Sequence, residues 1–306
     1  MRWDGTQVAD LGLDVSLAGA SKEGARGFDA RRVTWFSPPP GRVDVLLEGT
    51  GAFQAEAFLR SRLPAPDAPR LPDLTTTVPV DMHVGGCHEV ERVEQGARKC
   101  LRLGNGVSNP GHGPLQVFLD VVSGVQALVL EGRFVQEVLQ ADGSWSRHPV
   151  GPAAFHAAHA HWHYDGLAAF SLHPVGADGL RGEAVAAHHK AGFCFLDWDR
   201  MPEDETQAGQ GGNAEADCLV PGVQGWSNGV SAGWYDFYGS YLADQYVDIA
   251  GVPDGLYELV SVADPAGGLL ERDRTNNAAS VLLRLVGDRV SVLEERGWYR
   301  VQPEDA

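Results

Sequence analysis

Short apolar stretches separated by glycine- and proline-containing turns are the feature that most constrains how this chain folds. There are 38 glycines and 18 prolines among 306 residues, and amphipathic helical repeats are scarce. Such a pattern is typical of short strands joined by tight turns. The sequence therefore predicts an all-β protein built on a β-sandwich. Its clearest strands are 11–17, 32–36, 42–47, 53–59, 115–122, 127–130, 134–139, 256–262 and 281–285.

A proline-rich segment near residue 64 predicts a domain boundary, because prolines at this density cannot support a sheet ladder. We expect a small β-rich accessory domain at 1–63, a linker at 64–69, a large unit at 70–296 and a tail at 297–306. The accessory domain is thin enough to be part of a larger β-domain. An acidic, glycine-rich stretch at 203–217 is interpreted as a loop inside the large unit.

Charge and hydropathy narrow the classes of partner. The formal net charge is −17, which argues against nucleic acid and favours cationic partners such as lysine-rich proteins or amines. A hydrophobic content of 43% predicts a folded core, and no apolar run is long enough for a transmembrane segment. The N-terminus does not resemble a secretory signal. The chain is thus either an internal protein or a shortened form of an exported one.

Four cysteines fall into two local pairs, Cys87 with Cys100 and Cys194 with Cys218. Neither pair has the two-residue spacing of a zinc ribbon. We interpret them as two disulfides, each stabilising by about 3 kcal/mol, and the alternative is four buried thiols. Disulfides would place the protein in an oxidising compartment, secreted or at the cell surface.

Three histidines at alternate positions, His159, His161 and His163, are the strongest metal signal. Side chains two positions apart in a β-strand lie on one face, so the three imidazoles would converge. Nitrogen ligands of this kind favour copper or zinc over magnesium or calcium. The alternative is a histidine-rich strand exposed to solvent.

Three more segments follow in order: His-His-Lys-Ala-Gly-Phe-Cys at 188–194, Gly-Trp-Tyr-Asp-Phe-Tyr-Gly at 233–239, and Glu-Arg-Asp-Arg-Thr-Asn-Asn at 271–277. With the histidines, this set resembles the lysyl oxidase family in its H-x-H-x-H, H-K-A-x-F-C, Y-D-x-Y-G and D-x-T-N-N motifs. The resemblance covers roughly residues 70–290. It implies that the three histidines bind copper.

The resemblance also implies a built-in quinone. Lys190 and Tyr238 match the pair that crosslinks to lysine tyrosylquinone; Tyr238 is chosen over Tyr235 because the family uses the second tyrosine of its motif. Asp236 matches an acidic residue thought to help in proton transfer. The implied activity is that of an oxidoreductase of the protein-lysine 6-oxidase type, a copper-dependent amine oxidase. With molecular oxygen, it would convert peptidyl lysine or small primary amines to aldehydes, ammonia and hydrogen peroxide. The alternative is a catalytically silent metal-binding sandwich, an adhesion or envelope module, which would need neither Lys190 nor Tyr238.

Oxygen-bearing side chains crowd the last motif, and oxygen ligands suit calcium. In the resembling family this loop binds calcium together with an aspartate and a carbonyl at the start of the catalytic domain. The implied calcium ligands are Asp73, Leu74, Glu271, Asp273, Asn276 and Asn277. The alternative is an Asx-rich turn without metal.

Two departures from the family pattern affect this prediction. Animal members have a histidine, proposed to help in proton transfer, where this chain has Phe170; nearby His173 cannot be assumed to reach the same space. The catalytic base is therefore not identified by the resemblance. Trp234 and Asp244 replace the cysteines that bracket the tyrosine segment in animal members. These losses suggest a reduced, microbial-type member of the family.

Overall fold

A computed structural model of the chain describes residues 2–3, 11–19, 31–36, 43–44, 53–61, 67–87, 98–121, 132–156, 161–163, 166–190, 195–201 and 227–297. Every regular element in these ranges is a strand, which confirms the all-β prediction. No helix in the same ranges has the length and apolarity needed to span a membrane. The strands are β1 (Arg2–Trp3), β2 (Leu11–Gly19), β3 (Arg31–Phe36), β4 (Val43–Asp44), β5 (Phe53–Ser61), β6 (Thr75–Thr76), β7 (Val80–Gly86), β8 (Lys99–Ser108), β9 (Leu115–Val121), β10 (Gly132–Leu139), β11 (Trp145–His156), β12 (His161–His163), β13 (Ala168–Pro174), β14 (Ala186–Lys190), β15 (Asp199–Arg200), β16 (Ser227–Val230), β17 (Trp234–Tyr238), β18 (Tyr246–Asp248), β19 (Gly255–Ala263), β20 (Ala278–Val286) and β21 (Arg289–Arg296).

Two antiparallel sheets enclose the main core. One has the order β14-β13-β19-β20-β21, and the other has the order β15-β17-β8-β18, with β6 and β7 also paired to β8. Apolar side chains from both sheets meet in one cluster: Leu101 and Leu103 on β8 join Leu259 on β19 and Val281 on β20, and all four are completely buried. Burying each such side chain contributes about 1.5–3 kcal/mol. This packing of two sheets across one core is that of a β-sandwich.

A third sheet, β12-β11-β10-β9-β16, carries the histidine strand at its edge. It adds Leu115, Val117 and Phe134 to the same core cluster. The turn between β10 and β11 needs Gly143, whose φ is +84°, because a side chain is disfavoured in that conformation. The sheet therefore ties the histidine strand to the core that supports the other two sheets.

Most of the predicted strands are confirmed, in particular β9, β10, β19 and β20. Of the predicted strand 42–47, residues 43–44 are described as strand. The predicted strand 127–130 and the acidic loop 203–217 lie outside the described residues. Near the N-terminus, β3-β2-β5 form one antiparallel sheet and β1 pairs with β4. The domain boundaries themselves stay a prediction.

The predicted disulfide between Cys87 and Cys100 is formed. It joins the residue after β7 to β8, its neighbour in the sheet. The second predicted pair, Cys194 and Cys218, lies outside the described residues, so its disulfide stays a prediction.

Candidate functional site

Strand β17 places Asp236 and Tyr238 on one face. The register pairs Asp236 with Val107 and Tyr238 with Asn105, both of which are completely buried. Directly opposed residues of an antiparallel pair point to the same side of the sheet. Asp236 is only 2% exposed, and Tyr238 is partly buried and packs against the main core. The predicted proton-transfer residue and the predicted quinone precursor thus share the inner face.

The opposite face of β17 is apolar core. Tyr235 is completely buried and forms a separate cluster with Phe237, Val80 and Met201. Alternation along the strand puts Tyr235 on the other side of the sheet from Tyr238. The structure therefore distinguishes the two tyrosines: Tyr235 is a core aromatic, and Tyr238 faces the same side as Asp236.

Strand β14 carries Lys190 at the edge of the facing sheet. The register pairs Lys190 with Ala168 on β13, and Ala168 in turn with Ala263 on β19. Both alanines are completely buried. The side chain of Lys190 lies outside the described residues, so the structure gives its register position alone. Lys190 and Tyr238 belong to the two different sheets that enclose the main core.

Phe170, which the sequence analysis expects in place of a family histidine, belongs to the core. It is 1% exposed and lies opposite His188 in the register; the His188 ring stacks on Tyr246 with 4.3 Å between ring centroids. His173 lies on the other face of β13, because it is an odd number of residues away from Phe170. Its ring nitrogens lie 3.0 Å from the Gly182 carbonyl oxygen and 2.9 Å from Ser171 Oγ. His173 therefore does not share the face of Phe170.

The histidine strand is confirmed in part. His161 and His163 lie at alternate positions of β12, opposite His156 and Ala154 on β11. His159 and the side chains of the other two histidines lie outside the described residues. The copper ligand set therefore stays a prediction.

The predicted calcium ligands form a compact group apart from Asp273. Leu74 N donates to Glu271 Oε2 at 3.0 Å, Asn276 Nδ2 donates to Asp73 Oδ1 at 2.9 Å, and Asn277 Nδ2 donates to Glu271 Oε1 at 2.8 Å. These contacts join positions up to 203 residues apart. We call Asp73, Leu74, Glu271, Asn276 and Asn277 the oxygen cluster.

Asp273 does not take part in these three hydrogen bonds. Its Oδ1 accepts hydrogen bonds from N and Oγ1 of Thr275 at 2.9 and 2.6 Å. This local bonding is that of an Asx turn, and it shapes the loop that presents Asn276 and Asn277.

Negative charge and unsatisfied oxygens accumulate in the oxygen cluster. The side chains of Asp73 and Glu271 are completely buried, and burial raises the pKa of Glu271 to about 7. Arg272 and Arg274 approach the two carboxylates at 3.7 and 3.5 Å. Among the described residues, the Oδ1 atoms of Asn276 and Asn277 are buried without a hydrogen-bond partner. Buried acceptors of this kind are costly when unmatched, so the donor set fits a cation that prefers oxygen, such as calcium.

The sequence analysis missed Arg102 and Gln245, whose side chains contact the main chain at Tyr238 and in the segment that follows it. Arg102 is 6% exposed on β8, and Gln245 precedes β18. The only sequence signal for Arg102 is its place between Leu101 and Leu103, which does not reveal what the guanidinium contacts.

Comparison with known proteins decides the family. A family model described as lysyl oxidase matches residues 126–294, more than half of the chain. The chain belongs to the lysyl oxidase family. The matched region includes the three predicted copper ligands, the predicted quinone residues on β14 and β17, and the loop at 271–277.

Individual relatives agree with this assignment. The chain is 29% identical over 259 residues to lysyl oxidase homolog 1 of Bos taurus, covering 83% of this chain and 38% of the relative. The human protein of the same name is 29% identical, with 83% and 40% covered. Human protein-lysine 6-oxidase is 29% identical over 133 residues, with 44% and 28% covered. The chain spans about two fifths of the length of the first two relatives. All three are animal proteins, so they do not support the expectation of a microbial-type member.

Proposed function

We propose that this chain is a copper-dependent amine oxidase that converts primary amines, as peptidyl lysine or small amines, to aldehydes with release of ammonia and hydrogen peroxide. The observation that carries this proposal is the shared inner face of Asp236 and Tyr238 on β17, within the region that matches the lysyl oxidase family. A metal scaffold without catalysis has no need for a buried carboxylate beside a tyrosine of this motif.

His159, His161 and His163 would hold the copper, and Lys190 and Tyr238 would form lysine tyrosylquinone. When present, the copper and the quinone supply the redox chemistry with molecular oxygen. Asp236 would hold and release protons beside Tyr238, because its carboxylate is almost completely buried on the same face. Proton transfer by a positioned carboxylate typically contributes 10²–10⁴-fold to rate. The buried core on both sides of β17 would limit access of water to this face.

Calcium binding is the second part of the proposal. The oxygen cluster, with Asp273, would bind the ion through carboxylates, amide oxygens and the Leu74 carbonyl. The two buried amide oxygens without partners support this interpretation. Such an ion would tie the segment at Asp73 to the loop at 271–277 and stabilise the fold by mass action.

We also propose that the protein works in an oxidising compartment, secreted or at the cell surface. The disulfide between Cys87 and Cys100 supports this location, since such bonds are rare where thiols are kept reduced.

The test is quinone formation in copper-loaded, aerobically matured protein. We expect visible quinone absorption, a positive redox-cycling stain, and hydrogen peroxide on addition of amines. Lys190→Ala and Tyr238→Phe should abolish all three. Tyr235→Phe is the matched control, because this tyrosine lies on the other face of the same strand, and it should retain the stain. Fully copper-loaded wild-type protein without the stain would instead favour a silent metal-binding sandwich.

A further inference from the structure

The loop that follows Tyr238 is held by one buried arginine. This loop, residues 239–245, joins β17 to β18 and is called here the tyrosine loop. Arg102 Nε donates to Ser240 O and Nη2 donates to Leu242 O, both at 2.7 Å. Its Nη1 donates to Gly86 O at 3.1 Å. One guanidinium therefore connects two carbonyls of the loop with the end of β7.

Other contacts fix the two ends of the tyrosine loop. Gln245 Nε2 donates to the carbonyl of Tyr238 at 2.6 Å, and Leu103 N donates to the carbonyl of Gln245 at 3.1 Å. The hydroxyl of Ser240 donates to the carboxylate of Asp81. The main chain is thus held just before the loop, in its middle and at its last residue.

A buried arginine is a costly way to hold a loop. Burial lowers the pKa of the Arg102 guanidinium, and the nearby Tyr246 and Asp244 partly oppose this shift. Taking a charged group out of water is expensive unless its donors are satisfied. Here three carbonyls accept from it, each from a different nitrogen of the guanidinium. The planar fork of arginine presents these nitrogens in fixed positions, whereas lysine offers one ammonium nitrogen.

We propose that Arg102 is a positioning residue for Tyr238: by holding the loop that follows this tyrosine, Arg102 keeps Tyr238 in a fixed position relative to the sheet that carries Lys190 during quinone formation. This inference rests on the proposed function. Tyr238 and Lys190 lie in different sheets, so their reaction depends on a fixed relative position. Errors of about 1 Å in such an arrangement can cost roughly 100-fold in rate. Through its bonds to Ser240 and Leu242, Arg102 supplies a non-covalent hold on the tyrosine loop.

The experiment compares Arg102→Lys and Arg102→Ala with wild type, all as the full chain loaded with copper under air. We expect quinone formation, followed by its absorbance, to slow by at least about tenfold in both variants, with copper content unchanged. Methylguanidinium added to Arg102→Ala should restore part of the rate. Amide hydrogen exchange should quicken in residues 239–245 more than in β19 and β20.

Leu285→Ala, in the core of β20, is the control for a general loss of stability. It should lower the melting temperature without slowing quinone formation. The positioning role is refuted if the Arg102 variants form quinone at the wild-type rate, or if Leu285→Ala slows it equally. If wild-type protein forms no quinone, the proposed function fails and this inference fails with it. Failure of the positioning role alone leaves wild-type quinone formation intact.

Discussion

The oxygen cluster and the tyrosine loop are both held by contacts between distant parts of the chain. They differ in which of their hydrogen-bond acceptors have a donor. At the tyrosine loop, the main-chain carbonyls of Ser240 and Leu242, and that of Tyr238 just before the loop, each accept from a side-chain donor. In the oxygen cluster, the amide oxygens of Asn276 and Asn277 are buried without a donor among the described residues. The first arrangement fixes a backbone, and the second leaves oxygens available for a cation. A missing partner alone does not indicate a ligand, since Gln245 Oε1 in the tyrosine loop is also buried without one among the described residues. In the oxygen cluster two such oxygens occur together with two buried carboxylates, and this combination is what suits a cation.

The largest expected effect is on kcat, and it comes from Asp236, which shares a face of β17 with Tyr238. Asp236→Asn keeps the shape of the side chain and removes its ability to accept a proton at neutral pH. We expect kcat per quinone to fall by about 10²–10⁴-fold, with copper content and quinone absorbance retained. The measurement is hydrogen peroxide release normalised to titrated quinone.

Asp248→Asn is the matched control for Asp236→Asn. Asp248 lies on β18 and pairs with Arg98 at 3.0 Å with both side chains partly exposed. It should change kcat little. If Asp236→Asn turned over at the wild-type rate, Asp236 would have no role in proton transfer.

The sequence analysis named Asp236 and Tyr238 through the family resemblance but predicted no strand at 234–238, so their shared face came from the structure. Once the strand is known, periodicity alone puts these two residues on one face. The hold on the loop does not follow from periodicity, because Arg102 lies 138 positions from Ser240. Contacts between strands so far apart in sequence depend on register and sheet order, which no local pattern encodes.

The oxygen cluster also depends on long-range contacts that the sequence pattern does not predict. The resemblance named all its members, but periodicity alone could not have joined Leu74 to Glu271, which are 197 positions apart. Nor did the pattern separate Asp273 from the other residues of its loop. Its Asx turn with Thr275 is a matter of local geometry that the spacing of acidic residues does not reveal. The core position of Phe170 was likewise visible only once β13 had been placed between β14 and β19.

Removing the disulfide is expected to act on stability near the tyrosine loop. Cys87 and Cys100 close a loop with a sequence separation of 13, so Cys87→Ser with Cys100→Ser should cost about 3 kcal/mol. Cys87 is next to Gly86, whose carbonyl accepts from Arg102. Urea unfolding measures the loss. Because the hydrogen bonds described for the oxygen cluster do not involve Cys87 or Cys100, the increase in stability on adding calcium should be unchanged in the double variant. A smaller increase would show that the two regions are coupled.

Calcium should stabilise the protein through the oxygen cluster. At a calcium concentration about 100 times the Kd, mass action contributes about 2.7 kcal/mol, visible as a rise in melting temperature over chelator-treated protein. Asn276→Leu should abolish the rise, since it removes one buried amide oxygen, whereas Glu183→Gln at an exposed position should not. Equal calcium responses in wild type and Asn276→Leu would rule Asn276 out as a ligand.

The pH dependence of stability without metal tests whether the carboxylate of Glu271 is buried in the metal-free protein. The pKa of Glu271 is raised from 4.5 to about 7 in the folded protein, chiefly by burial. The folded state therefore binds this proton more tightly than the unfolded state, and its contribution to stability is fully present below about pH 4.5. That contribution is lost as pH rises through about 7. In chelator, the melting temperature of wild type should fall over this window relative to Glu271→Gln. Calcium favours the ionised carboxylate, so the calcium-induced rise should grow with pH over the same window. Parallel pH profiles of wild type and Glu271→Gln in chelator would contradict the raised pKa.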